Sequence, residues 1–154
     1  MTQLQNQFAM SVEVGHKIAG LNVQTVEFYS ATGTDTIAPG RFVKIASTTR
    51  GLVTKVAAGA ALTDPYFGVV LRNVVKESFA VGDKMEIARS GCEVFLTASA
   101  AITAGASLQY DHSTGKVATV SGTNTVIGRA LENATADGQL IRVYIEPVIA
   151  HAHA

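Results

Sequence analysis

The chain has no tryptophan, one cysteine and three prolines among 154 residues. A lone thiol, Cys92, excludes a disulfide framework and a cysteine-built zinc site. Charge is scarce too: Asp, Glu, Lys and Arg make up 16% of the chain, against about 25% in an average soluble domain. So little charge suggests that a partner covers part of the surface. The two signs balance at 12 each, so no global field draws the chain to nucleic acid or to an anionic membrane. No apolar run approaches the roughly 20 residues of a membrane helix. Met1-Thr2-Gln3-Leu4-Gln5-Asn6-Gln7 lacks the basic and apolar regions of a signal peptide. The expectation is synthesis in a cytoplasm, until the chain joins a larger body.

Catalytic constellations are missing as well. Asp111-His112-Ser113 holds the residue types of a hydrolase triad, but three consecutive turn residues do not converge through their side chains; Asx and Ser turn chemistry is the simpler reading. His16 stands alone in the first half, and Cys92 has no neighbouring His, so it reads as a small buried hydrophobe. No phosphate-cradling glycine motif follows a strand. Lys84-Met85 begins a strand after Gly82-Asp83 and does not sit at a hairpin tip, as a carrier-domain lysine would. His151 and His153 share a face if extended, but without a third ligand they read as a solvated tail. The expected cofactor set is empty and the chain is not expected to be an enzyme.

What the sequence does contain is strand grammar. Hydrophobic residues reach 47%, enough for a core in a single domain of this size. Short β-rich runs are expected at residues 41–46, 52–56, 67–75, 84–88, 92–97, 107–110, 116–120, 126–131 and 140–145, separated by Gly, Asn, Asp, Ser and Thr turns. Residues 17–23 read as mixed turn and strand, and 25–30 as a further strand. Asp137-Gly138 between β-branched runs signals a hairpin with positive φ at both central residues. Residues 57–62 (AAGAAL) and 98–101 (ASAA) are helix-friendly but too short for more than one turn. The fold class is all-β: a small β-barrel or β-sandwich, with residues 101–147 forming a compact meander.

The grammar runs twice. Ile37 and Ile102 stand 65 positions apart, Gly51 and Gly115 64, Gly68 and Gly128 60, and Gly82 and Gly138 56. The order of glycine start, glycine turn, apolar-Gly-x-x-Leu-x-Asn and glycine hairpin points to two related strand-turn units, at about 36–97 and 101–147. They lie in one domain over 13–149, preceded by a flexible arm at 1–12 and followed by a tail at 150–154. The arm is amide-rich around Leu4 and Phe8; it is either a frayed terminus or a segment that orders against a neighbouring subunit.

Ala101-Ile102-Thr103-Ala104-Gly105-Ala106-Ser107-Leu108 with Ser113-Thr114-Gly115-Lys116-Val117 resembles the end of tailed-bacteriophage capsid cement, or head decoration, proteins. So do Val126-Ile127-Gly128-Arg129-Ala130-Leu131-Glu132-Asn133 and Asp137-Gly138-Gln139-Leu140. The resemblance spans about residues 36–147 and implies a virion structural protein on the exterior of the expanded head, stapling neighbouring major capsid proteins. It also implies a homo-oligomer, a trimer first and a dimer second. Candidate capsid or subunit contacts are Leu4, Phe8, Tyr66, Phe67 and Phe79, the last at the end of the Val74–Phe79 connection that is itself a candidate contact, because aromatics are enriched in interface cores. Packing of these loops on their own domain is the alternative for the last three. The competing function is a carbohydrate- or receptor-binding β module, for which a chain with no Trp and 6% aromatics is poorly equipped.

Overall fold

The computed structural model describes residues 13–46, 52–56 and 66–146. Among them are thirteen strands and no helix. β1 (Lys17–Ala19), β2 (Val23–Phe28), β3 (Thr36–Ile37), β4 (Phe42–Ile45), β5 (Leu52–Lys55), β6 (Gly68–Val70), β7 (Phe79–Ala80) and β8 (Lys84–Ala88) build the first half. β9 (Glu93–Thr97), β10 (Ser107–Asp111), β11 (Lys116–Thr119), β12 (Gly128–Ala130) and β13 (Leu140–Ile145) build the second. In the first half β2, β5, β4, β6 and β8 close into a barrel; the second sheet runs β1-β9-β13-β12-β10-β11.

The two halves share one connectivity. In each, a hairpin (β4–β5, β10–β11) is flanked by the next strand (β6, β12), which pairs with the last (β8, β13), which pairs with the first (β2, β9). β2 meets β5 in parallel at Phe28 and Val53, and Ala98 bridges Val117 in parallel at the matching place. Backbone hydrogen bonds recur at corresponding positions of the two halves. Tyr29 N donates to Val53 O at 2.8 Å and Ser99 N to Val117 O at 2.9 Å; Gly40 N donates to Val70 O at 2.8 Å and Gly105 N to Ala130 O at 2.7 Å; Gly82 N reaches Phe28 O and Gly138 N reaches Ala98 O, both at 2.8 Å. Ile37 pairs with Phe79, and Ile102 with Ala134.

Three expectations change. The second half is no meander: β12 lies on the far side of β10 from β11, so the β11–β12 connection crosses over. The structural repeat also starts earlier than position 36, at β2, and β9 opens the second copy instead of closing the first. Strand order here is decided by edge pairing between distant segments, which local turn signals do not encode. Finally, Gly138 has φ 86° while among the described residues no non-glycine, Asp137 included, has positive φ, so the Asp137-Gly138 turn is not the type with two positive φ values. The hairpin it closes carries residues 131–139 as a long connection. Residues 98–101 form a bridge and a bend, not a helical turn, and residues 57–62 lie outside the described residues.

Burial explains why Phe42-Val43 of β4 and Val69-Val70 of β6 are apolar at consecutive positions rather than alternating. Val43, Val70 and Ile87 point into the first barrel with Val26, Phe28, Val53 and Met85. Their neighbours Phe42, Val69 and Ala88 face outward and join the core of the second half, with Leu96, Leu108, Val117, Ile127, Ile141 and Val143. A strand buried on both faces loses its polar stripe. The outer wall of the first barrel thus contributes to the core of the second half.

Candidate functional site

Four rings stitch the halves together. Phe42 and Tyr66 come from the first half, Tyr110 and His112 from the second. Phe42 and Tyr110 lie 4.8 Å apart between centroids, and Tyr66 and Tyr110 meet edge to face at 5.9 Å, the geometry in which ring quadrupoles attract. The Tyr66 hydroxyl is hydrogen-bonded to His112 Nε2 at 2.9 Å. Burial pushes the Tyr110 phenol up, with the Arg41 guanidinium opposing. A cavity of about 360 Å³ beside the rings is lined by Arg41, Lys55, Tyr110 and His112 among others. Within 111–113, Asp111 behaves as turn chemistry dictates, accepting Ser113 N at 2.8 Å and the Thr114 hydroxyl at 3.0 Å. His112 does not: it turns inward and is 6% exposed. No local signal marked it, because its partner Tyr66 is 46 positions away.

The outer surface offers a different feature. Between β6 and β7 the chain runs out and back over residues 71–78. Its outgoing limb is held by an Arg72–Glu13 ion pair at 2.8 Å and by Arg72 N donating to Gly15 O at 2.9 Å. Its tip is shaped by Val75 N donating to Asn73 Oδ1 at 2.8 Å, an Asx turn. Its return is held by Lys76 on Asp83 at 2.8 Å. That ammonium holds the Asp83 carboxyl below the usual carboxylate range, helped by the Ala80 N–H. The result is a fastened loop that lifts Val74 and Val75 into solvent, 89% and 84% exposed. An open groove of about 540 Å³ runs beside it, with Glu13, His16, Arg72, Lys76 and Glu77 along its walls. Single exposed apolar residues are ordinary; two adjacent valines on an anchored loop are a ready contact.

The sequence-derived contact residues fall elsewhere. Tyr66 is 5% exposed and Phe79 1%, so both rings pack inside the subunit. Phe67 is half-buried, with the Arg89 guanidinium 4.2 Å above its ring. Leu4 and Phe8 lie outside the described residues, as do His151 and His153. Aromatic identity alone does not separate a core from an interface: within the Val74–Phe79 connection read from the sequence as a contact, Phe79 is buried while Val74 and Val75 are exposed. Cys92 is fully buried with Sγ 3.4 Å from Asn22 O, and His16 Nδ1 accepts the Glu13 N–H at 3.1 Å. Among the described residues no three of His, Cys, Asp and Glu gather as metal ligands would.

The sequence model of the phage cement proteins matches residues 22–145, nearly all of the duplicated body. The chain belongs to the phage cement protein family. Capsid decoration is therefore its role, and the carbohydrate- or receptor-binding alternative gives way. The head fiber gp8.5 N base of bacteriophage phi29 is similar in fold, with a TM-score of 0.54 at 16% identity over 84% of this chain and 98% of that one. Among curated proteins none matches the chain. For a cement protein, the halves joined through the ring cluster form the body, and the Val74–Val75 loop is an exposed apolar feature on it.

Proposed function

We propose that this cement protein coats the exterior of an expanded phage head and staples neighbouring major capsid proteins, without catalysing a reaction. The family match over 22–145 carries this reading, and the anchored loop bearing Val74 and Val75 supplies the contact. A loop already held by two ion pairs loses little conformational freedom on docking. Burying two valines contributes about 3 kcal/mol, roughly a hundredfold in affinity. Subunits grouped as a trimer, or as a dimer, multiply such modest contacts through effective concentration, and occupancy then stabilises the shell by mass action. The protein is made in the host cytoplasm and ends on the virion.

The test is a titration of expanded heads with the wild-type chain and with Val74→Ser/Val75→Ser, read by sedimentation and by imaging of the heads. The variant should keep its melting temperature and need about a hundredfold more protein for equal occupancy. Equal occupancy at equal concentration would remove the loop from the contact; no binding by the wild-type chain would remove the decoration reading for this protein.

A further inference from the structure

Among the described residues, the duplication leaves one edge position of the first half without the partner that its counterpart has. In the second half, the outward edge of β9 is covered twice: β11 meets it at Ala98, and β1 covers its earlier part. There Phe95 N donates to His16 O at 3.0 Å and Phe95 O accepts Gly15 N at 2.8 Å. The counterpart of Phe95 in β2 is Thr25, since Phe95 lies opposite Arg142 of β13 and Thr25 opposite Glu86 of β8. In β2, Phe28 bonds toward the β8 side, through Asp83 O and Gly82 N, while Val23 N turns away to Leu21 O and Tyr29 N reaches β5. Alternation along the strand therefore aims the N–H and C=O of Thr25 away from β8. β5 reaches only Glu27 and Phe28, and among the described residues no strand pairs with β2 at Thr25 on that side.

Beside this edge runs a groove of about 400 Å³ lined by Gln24, Thr25, Val26, Ile45, Leu52 and Phe67, among others. Its walls are apolar where a soluble surface is ordinarily polar: Ile45 is 61% exposed. The counterparts of Ile45 and Phe67 in the second half are Tyr110 and Ile127, at 3% and 0% exposure; Tyr110 is covered by rings of the first half. The same positions are thus buried in one copy of the repeat and open in the other.

We propose that this groove is the docking site for the chain's own residues 4–12, added as a strand on the free edge of β2. Three observations choose that occupant. β1, which fills the equivalent edge on β9, is supplied by the sequence immediately after this segment. Phe8, Met10 and Val12 alternate with Ala9 and Ser11, so an extended strand puts its large apolar side chains on one face. And nine extended residues span about 30 Å, more than the six residues of β2 need for a partner strand. Main-chain bonds to Thr25 set the register, and Phe8 and Met10 meet Ile45 and Phe67, the mode of β-strand addition. Docking holds in the free protein and does not depend on capsid contact.

The test uses the full chain and amide hydrogen exchange at Thr25. Wild-type protein should protect this amide at least tenfold over Phe8→Ser/Met10→Ser and over Ile45→Lys, with unchanged melting of the barrel core in both variants. A dilution series reads the donor: protection that falls with dilution assigns the strand to a second copy, and constant protection assigns it to the same subunit; both keep the proposal. Equal Thr25 exchange in wild type and Phe8→Ser/Met10→Ser overturns it. So does protection that arises only when expanded heads are added, which makes the capsid protein the occupant.

Discussion

Gly128 is the position at which the least chemistry should do the most damage. A Cβ built there would lie 2.1 Å from Tyr144 O, 3.1 Å from the Tyr144 carbonyl carbon and 3.3 Å from Ile145 Cα. All three are backbone atoms of β13, so no side-chain rotation relieves the contact. Since real Cβ contacts do not fall below 3.0 Å, β12 and β13 must part by about 0.9 Å. That stretches ladder bonds near 2.9 Å past the hydrogen-bond limit. Two or three lost bonds cost about 1 kcal/mol each and the overpacking 1–3 kcal/mol. Against this, lower unfolded-state entropy returns about 0.4–1 kcal/mol. Gly128→Ala is therefore expected to lose about 3–4 kcal/mol, a Tm drop of roughly 10 °C for a chain of this size. Gly68, its counterpart, would place a Cβ 2.5 Å from Ala88 O and 2.6 Å from Ile87 Cγ2; Gly68→Ala should fall in the same direction by less, about 2 kcal/mol, because one of the two obstacles is a side-chain methyl. Gly33 has nothing within 4 Å and no positive φ, so Gly33→Ala is the control and should stay within about 0.5 kcal/mol. Thermal melts followed by circular dichroism, with urea titrations for ΔG, measure all three. A Gly128→Ala Tm within 2 °C of wild type, or a fall of equal size in Gly33→Ala, would refute the close-approach reasoning.

Tyr66→Phe keeps the ring and removes the hydroxyl hydrogen-bonded to His112; a loss of about 1–3 kcal/mol in urea unfolding is expected, and no loss would mean that the imidazole is satisfied without it. Phe42→Ala opens a hole where the first barrel meets the second core, with Phe42 only 1% exposed, and should cost about 3–5 kcal/mol; a change under 1 kcal/mol would separate the halves energetically. Asp35 is held below the usual carboxylate range by hydrogen bonding to Lys55 and Ser30 and by the Lys55 charge. The contribution of such a depressed acid is present above its unfolded pKa near 4 and is lost as pH falls through the lower folded value. Asp35→Asn should therefore lie one to three degrees below wild type at pH 6, an exposed pair being worth at most about 1 kcal/mol, and the gap should close by pH 3. A gap that widens on acidification would contradict the sign.

Much of this architecture is legible in the residues. β-branched runs between glycines announce strands, and β8 and β13 fall at the expected boundaries, Lys84–Ala88 and Leu140–Ile145. The spacings between Ile37 and Ile102 or Gly68 and Gly128 recur as spacings between backbone hydrogen bonds, because a glycine needed for close approach in one copy is needed in the other. What local sequence does not encode is which strand edges meet. The crossing between β11 and β12, the membership of β9 in the second unit and the closure of β2 on β5 depend on pairing partners 20 or more positions apart. Residue type likewise announces that Tyr66 and Phe79 prefer to lose water, but not whether a partner or the subunit itself removes it. Only the tertiary packing decided that Tyr66 turns into the core shared with the second half, that Phe79 fills the first barrel, and that Val74 and Val75 stay outside. The physical reason is that burial is a property of the assembled surface, and composition fixes only how much apolar surface there is to bury.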